Sequence, residues 1–443
     1  MPEEAQSMKR YPPSGISVLV VGGGISGLTC AIEAYRKVQD VRLVERRALI
    51  GLPAPAIRIL KNWPGFLERL AVHAIKPRVR MMKHDFTHIG DFPLANAEHP
   101  SMPMSRPSLL KLLYSYVQKL GIPVRLGGSV TEYFEDENQA GIVYSDGTRE
   151  TADVVVAADG VGSKAWDLVL GEKQDVISSG FACHLVTFPA SPALENPMIR
   201  EGFGDLDSGV MFNLGPNAHF VIGKTPEMIT WCLIHRDHAG SNEDWGQTSS
   251  AESALQYIPT WAPFYKEVIK AAPDDDVLVW RFMVARSAAQ IGDVAHPFLS
   301  TSAAGAGMAI EDGATLASCL QLSGRSNVPL AARVYNLFRY ERVCCAQKVG
   351  FRNRETFHRT NWDGVEKDPS SVSTFNGTWI AAHEVEKYVL DNYGNAANHI
   401  LTGAPFRNTN AVPGYKFKPW TVSELLEASD KGQPIIDEGE WYT

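Results

Sequence analysis

The stretch ISVLVVGGGISGLTCAIEAYRKVQDVRLVE, Ile16 to Glu45, decides the fold. An apolar strand, Val18 to Val21, runs into Gly22, Gly24 and Gly27, and a helical pattern begins at Ile25 and continues to about Lys37. In such a turn the first glycine permits the tight bend, the second lets the backbone approach a pyrophosphate, and the third allows the helix to pack closely on the strand. The anion rests on the helix N-terminus, where unpaired N–H groups and the helix dipole favour negative charge. A second strand, Val41 to Val44, ends in Glu45, about 20 residues past the glycines, where a carboxylate accepts ribose hydroxyls. A 2′-phosphate about 4 Å from that carboxylate would meet repulsion of roughly 4 kcal/mol per unit charge, so this site suits FAD or NAD and excludes NADP.

Around this unit the chain has 443 residues, enough for two or three domains, and its 44% hydrophobic content is ordinary for a soluble enzyme. The formal charge of −8 and the lack of any Lys/Arg block argue against nucleic acid or an anionic membrane as partner, and favour small molecules. No apolar run approaches bilayer length, and MPEEAQSMKRYPPSG is acidic and polar where a secretory signal is basic and then apolar. The expectation is a cytoplasmic protein with its six cysteines reduced and no metal-binding spacing among them.

Further along, residues 72 to 90 look like a short strand pair, and SRPSLLKLLYSYVQKLG reads as a helix with Pro107 in its first turn and Gly121 as its stop. The pieces IPVRLG, SVTEYFED, AGIVYS and TRETADVVVAADG read as a β-meander whose last strand, Val154 to Ala158, joins the parallel sheet opened by Val18 to Val21. Between Gly180 and Arg236 short β-rich runs predict a second, mostly antiparallel sheet. Residues 251 to 271 read as helical, VLVWRFMVA as a strand, and Pro329 to about Arg359 as one long helix on which Arg339, Arg342 and Arg352 are expected to form a solvated face. Thr421 to Glu424 forms a capping box in an otherwise weakly patterned tail.

Two remote segments bear on the same ligand. Asp159 to Lys164 follows a buried strand, where open α/β sheets bind ligands. Gly292 and Asp293 then precede His296, Pro297 and the small residues Ala303 to Gly307, which open a helix. A carboxylate at the strand end can accept a sugar-chain hydroxyl, and bare backbone lets a flat ring lie against the helix N-terminus. A ring that gains electron density on reduction is stabilised there, which suits flavin.

Together the three signals resemble the class A flavoprotein monooxygenases, the group of para-hydroxybenzoate hydroxylase and salicylate hydroxylase, over about residues 16 to 365. HPFLSTSAAGAGMAIEDGATLA, RYERVCCAQKVG and WDGVEKDP are similar to the fungal natural-product branch, including indole alkaloid oxidation. The resemblance implies an α/β fold: a doubly wound, Rossmann-type FAD-binding domain from 14–80, 103–178 and 279–365, an inserted antiparallel substrate domain from 81–102 and 179–278, and a helical extension, 366–443. It further implies FAD held by Gly22, Gly24, Gly27, Glu45, Arg46, Arg106, Asp159, Gly160, Asp293, Pro297, Gly305 and Gly307. NADPH or NADH would reduce the flavin, and O2 would then hydroxylate or epoxidise an aromatic substrate. Such a protein is expected to act as a monomer or homodimer.

The chain departs from the family pattern beside the ring. Leu185 stands where relatives commonly carry a substrate-facing arginine, Ser300 where they have proline, and Ala304 where glutamine is frequent. A shorter connection ends in Ala54, Pro55 and Ala56, and Gly223 and Lys224 replace a tyrosine and a proline. Without the arginine, a bulky neutral aromatic is the expected substrate. An FAD oxidase or isomerase on the same fold, an NAD dehydrogenase and a catalytically silent binding protein remain open. His184, His219 and Trp231 are the polar candidates for the pocket, although each residue type is as commonly a core or rim residue, and strand alternation aims His184 away from Leu185. Phe181, Phe212, Phe220 and Trp280 read as core.

Overall fold

The structure is a computed structural model that describes residues 8–45, 51–94, 98–171, 177–237, 248–273, 276–284, 291–436 and 438–442. β1 (Ser17–Val21) leads into α1 (Ile25–Arg36), and β2 (Asp40–Glu45) and β3 (Gly51–Leu52) follow. Next come α2 (Ala54–Leu60), α3 (Phe66–His73), the hairpin β4 (Arg78–Lys83) and β5 (His88–Pro93), β6 (Met102–Pro103) and α4 (Arg106–Lys119). β7 (Val124–Leu126), β8 (Val130–Glu135), β9 (Ala140–Tyr144), β10 (Arg149–Ala152) and β11 (Val154–Ala157) precede α5 (Trp166–Leu170). The sheet-rich middle holds β12 (Ile177–Pro189), α6 (Ala190–Leu194), α7 (Pro197–Phe203), β13 (Gly209–Gly215), β14 (Ala218–Lys224) and β15 (Met228–Arg236). It continues with β16 (Thr248–Ser249), α8 (Ala251–Leu255), α9 (Pro263–Lys270) and β17 (Val277–Val284). Beyond it lie α10 (Gly305–Ser323), α11 (Val328–His358), α12 (Trp362–Lys367), α13 (Thr378–Ala381), α14 (Val385–Thr402) and α15 (Val422–Asp430), which opens on the expected capping box.

The nucleotide-type sheet has the order β11–β1–β2–β7. β11 pairs in parallel with β1, Val18 opposite Val154, as the sequence predicts. IPVRLG does not belong to the meander, because its β7 lies parallel to β2, with Leu43 opposite Val124. The α4 crossover carries the chain back to the same sheet edge, which gives a parallel strand, and only β8, β9 and β10 form the antiparallel meander. The stretch 251–271 is likewise two helices, α8 and α9, because Pro259 and Pro263 remove amide donors between them.

The second sheet is eight-stranded, in the order β16–β17–β12–β15–β14–β13–β4–β5. One of its faces carries Val186, Phe220, Ile222, Trp231 and Leu233 into a core with Phe203, Phe264 and Tyr265 from α7 and α9. The opposite face carries Cys183, Leu185, Cys232 and Ile234. Val221 joins that patch to Phe212 and to Phe357 of α11.

α11 contradicts the expected solvated arginine face. Arg339 and Arg342 are buried, Nε of Arg339 lying 2.7 Å from Asp312 and Nε of Arg342 lying 2.8 Å from Glu311. Both carboxylates sit on α10 and are themselves buried, so each charge is held by the other. Arg352 is half-buried, its guanidinium 4.3 Å from the Tyr442 ring.

Candidate active site

At the carboxyl edge of the parallel sheet, close packing of backbone fixes the geometry. Gly22 has φ +107°, and a Cβ there would lie 2.1 Å from the Ala158 carbonyl oxygen; a Cβ on Gly27 would lie 1.7 Å from that of Gly22. The glycine turn is thus pressed against the end of β11. Gly24 has open space where a side chain would be, and as N-cap of α1 it leaves the first-turn amides without a side-chain cap.

The other expected segments come to this edge. Asp159 follows β11 and accepts a hydrogen bond from Tyr133 Oη at 2.8 Å. Gly160 has φ +86° and open space beside it. The short turn Gly292–Val294, which contains Asp293, packs on α1: Gly292 has φ +65°, and a Cβ there would lie 2.3 Å from Ser26 Oγ. Ile291 N–H donates to the Ala157 carbonyl at 3.3 Å.

That turn is pinned from behind by a residue the sequence reading missed. Asp312 Oδ2 accepts the Gly292 amide at 2.9 Å and lies 2.5 Å from His296 Nε2, while its Oδ1 accepts Arg339 Nε at 2.7 Å. Burial alone would raise the Asp312 pKa, but His296, Arg339 and the Gly292 amide hold it below the usual carboxylate range. Two adjacent acids, Glu311 and Asp312, in an otherwise uncharged helix are the available signal, since buried acids require partners. Glu311 is held low in the same way by Arg342 and Arg339.

α10 begins beside this turn at Gly305, also without a side-chain cap. A Cβ on Gly307 would lie 2.4 Å from Pro53 Cγ, and one on Gly305 would lie 3.1 Å from Phe298 Cβ. The Pro297 carbonyl accepts Gln347 Nε2 at 3.0 Å, and His296 Nδ1 is buried without a hydrogen-bond partner. Arg106 opens α4, directly after its Ser105 cap. Glu45 ends β2 with its side chain outside the described residues, and Arg46 lies wholly outside them. Two bare helix N-termini and open backbone over Gly24 and Gly160 fit a pyrophosphate-linked dinucleotide carrying a flat ring.

The substrate-side candidates separate. His219 lies on the sheet face that meets α11, its Nδ1 2.8 Å from His358 Nε2 and its ring stacked on Phe212, and burial lowers its pKa to about 3. His184 points to the helix-covered face, 2.8 Å from His235 and 3.1 Å from Ser253 Oγ, with a pKa lowered to about 3 by burial and by His235. Trp231 is fully buried on that same face. Alternation places His184 and Trp231 on the face opposite Leu185, as expected for His184. Phe212 and Phe220 are core as expected, and the Trp280 side chain lies outside the described residues.

Such a fold and edge define a nucleotide-binding α/β enzyme that carries a second, larger sheet. Residues 20–86 match the NAD(P)-binding Rossmann-like domain family. An FAD-dependent monooxygenase of Cryptosporiopsis sp., dmxR9, is 34% identical over 98% of this chain and 91% of its own length. Notoamide E oxidase notB′ of Aspergillus versicolor is 28% identical over 92% of this chain and 95% of its own. The crystal structure of CtdE in complex with FAD and a substrate superposes with a TM-score of 0.80 at 25% identity, covering 87% of this chain and 100% of that one. The salicylate hydroxylase substrate complex shares the fold, with a TM-score of 0.67 at 21% identity over 87% of this chain and 98% of its own. The chain belongs to the FAD-dependent monooxygenases. Among the described residues no helix is long and apolar enough to cross a membrane, and no cluster of His, Cys, Asp and Glu could hold a metal ion.

Proposed function

We propose that this enzyme uses NADPH or NADH and O2 to hydroxylate or epoxidise a bulky aromatic compound in a fungal natural-product pathway. The observation that carries this reading is the meeting of the Gly22–Gly27 turn, the Asp159–Gly160 strand end and the Gly292–His296 turn on one sheet edge. When bound, FAD supplies hydride acceptance and oxygen activation. In this reading the amides after Gly22 and Gly24 and at Gly27 receive the pyrophosphate, and Glu45 and Arg46 hold the adenosine end. Asp293 accepts a ribityl hydroxyl, with its turn braced by Asp312. Arg106, Asp159 and Gly160 close over the cofactor, and Pro297, Gly305 and Gly307 bring the α10 N-terminus against the ring, where its dipole favours negative charge.

The apolar face around Cys183, Leu185 and Ile234 excludes water and takes the aromatic substrate. In this reading the enzyme is a cytoplasmic monomer or homodimer, and the charge of −8 without a Lys/Arg block disfavours nucleic acid and anionic membrane as partners. Denatured pure protein should release FAD, and the holoenzyme should consume NAD(P)H and O2 faster when its aromatic substrate is present. A colourless preparation that also refuses added FAD, or flavin that NAD(P)H does not bleach, would sink the reading.

A further inference from the structure

Near its C-terminal end α11 places a third buried arginine, Arg354, that is not satisfied as Arg339 and Arg342 are. Its side chain is 2% exposed. Nε and Nη2 donate to Glu355 Oε1 at 3.0 and 2.7 Å. The guanidinium carbon lies 4.4 Å from the centroid of the Phe181 ring and 5.3 Å from that of Phe351. Nη1, which carries two N–H donors, is buried with no hydrogen-bond partner.

The surroundings of this group sort by charge. Phe181, Cys183 and Leu185 alternate onto one face of β12, and Cys232 and Ile234 continue that face on β15. Arg236, from β15, pairs with Asp430 at 3.3 Å, and Arg359 pairs with Glu355. His358 and His219 are neutral, held there by burial. Burial also lowers the Arg354 pKa, against the pull of Glu355, but a guanidinium remains charged. Glu355 is thus shared between two arginines, and the rings of Phe181 and Phe351 beside Arg354 offer it no acceptor.

We propose that Arg354 is the specificity-determining cation of the substrate site, its Nη1 donors receiving an acidic oxygen (a phenolate, enolate or carboxylate) on an aromatic ring lying along Cys183 and Leu185. This rests on the monooxygenase reading above. It replaces the neutral substrate expected from Leu185: the charge absent from the strand is supplied by the helix that packs against it. Phosphate is a poorer fit, since a single pair of N–H donors in an aromatic setting suits a flat, singly charged group.

The test uses the holoenzyme and two bicyclic probes of one shape and different charge, 2-naphthoate and 2-naphthamide, each titrated against the visible flavin absorbance. Wild type should bind the naphthoate about tenfold more tightly than the amide. Arg354→Met should bring the ratio near one, and Arg354→Lys, which keeps the charge but not the planar fork, should retain part of it. The flavin spectrum of each variant reports folding, and if Arg354→Met does not fold, the lysine variant and the wild-type ratio still decide. Equal binding of the two probes by wild type, no perturbation by either, or an unchanged preference in Arg354→Met would overturn the proposal. A wild type that holds no FAD or is not reduced by NAD(P)H would overturn the functional reading and this inference together, whereas one that does both and ignores probe charge counts against Arg354 alone.

Discussion

The two halves of α11 bury the same residue type to opposite effect. In the first half, Arg342 donates to both oxygens of Glu311 and to the carbonyls of Trp379, Asn410 and Ile380, and Arg339 bridges Glu311 and Asp312. In the second, Arg354 has one partly exposed carboxylate neighbour and a terminal nitrogen with no acceptor. A guanidinium whose donors are all matched locks two helices and a tail segment together. One whose donors are not matched is held ready for something else. The first half stands behind the Gly292–His296 turn and the second against Phe181 of the sheet face, so one helix braces the turn and also meets the sheet.

Breaking the satisfied half should cost most. Arg342→Ala leaves Glu311 buried and half-compensated, and removing one partner of a buried pair typically costs about 3–5 kcal/mol. Chemical denaturation should show that loss, and the double variant Glu311→Met, Arg342→Met should recover much of it, because an apolar pair of similar volume carries no stranded charge. A single variant as stable as wild type would mean that the cluster does not hold the helices.

A smaller and more local effect belongs to Asp312→Asn. The side chain keeps its shape but loses charge-assisted bonds to Gly292, His296 and Arg339, worth about 1.5–3 kcal/mol where a charge is involved. Since those bonds fix the turn that carries Asp293, the loss should fall on the cofactor, as a rise of about tenfold or more in the FAD dissociation constant. Full flavin retention would show that Asp312 serves the helix pair only.

The same contrast explains what could be read from the chain. The glycine turn was legible because its requirements are local: strand, three glycines, helix and acid fall within residues 16–45, and backbone contact at Gly22 and Gly27 leaves no room for another residue. Leu185 and His184 were assigned to opposite faces correctly because alternation is also local. Arg339 and Arg342 were misread because their spacing on a helix is that of a wet face, and the acids that bury them lie on another helix. IPVRLG was misplaced for a like reason, its partner being β2 across a crossover and not the strand that follows. Asp312 and Arg354 escaped because what a buried polar group touches is settled by packing, which no period in the sequence records.

Acid should probe the sheet side next. His219 has its pKa lowered to about 3 by burial, against about 6.5 in an unfolded chain. Between these values the unfolded state binds the extra proton, so the stabilisation is fully present above about pH 6.5 and is lost as pH falls towards 3, at no more than about 1.4 kcal/mol per pH unit for one histidine. Melting followed from pH 7.5 to pH 5 should fall steadily for wild type and less steeply for His219→Phe. Parallel slopes would show that the His219–His358 pair does not report the docking of α11 on the sheet.

Arg354→Met should move stability least. Replacing a buried charge by an apolar side chain of similar length is often neutral or stabilising, and Glu355, with 23% of its side chain exposed, can be hydrated and still meet Arg359 when its partner is gone. The melting temperature should stay near that of wild type, within a change of about 1 kcal/mol, while the preference for a charged ring disappears. A loss as large as that for Arg342→Ala would make Arg354 another clamp and erase the difference between the two halves of the helix. A small gain in stability would sharpen it, because a side chain retained against its own cost to the fold is retained for what it binds.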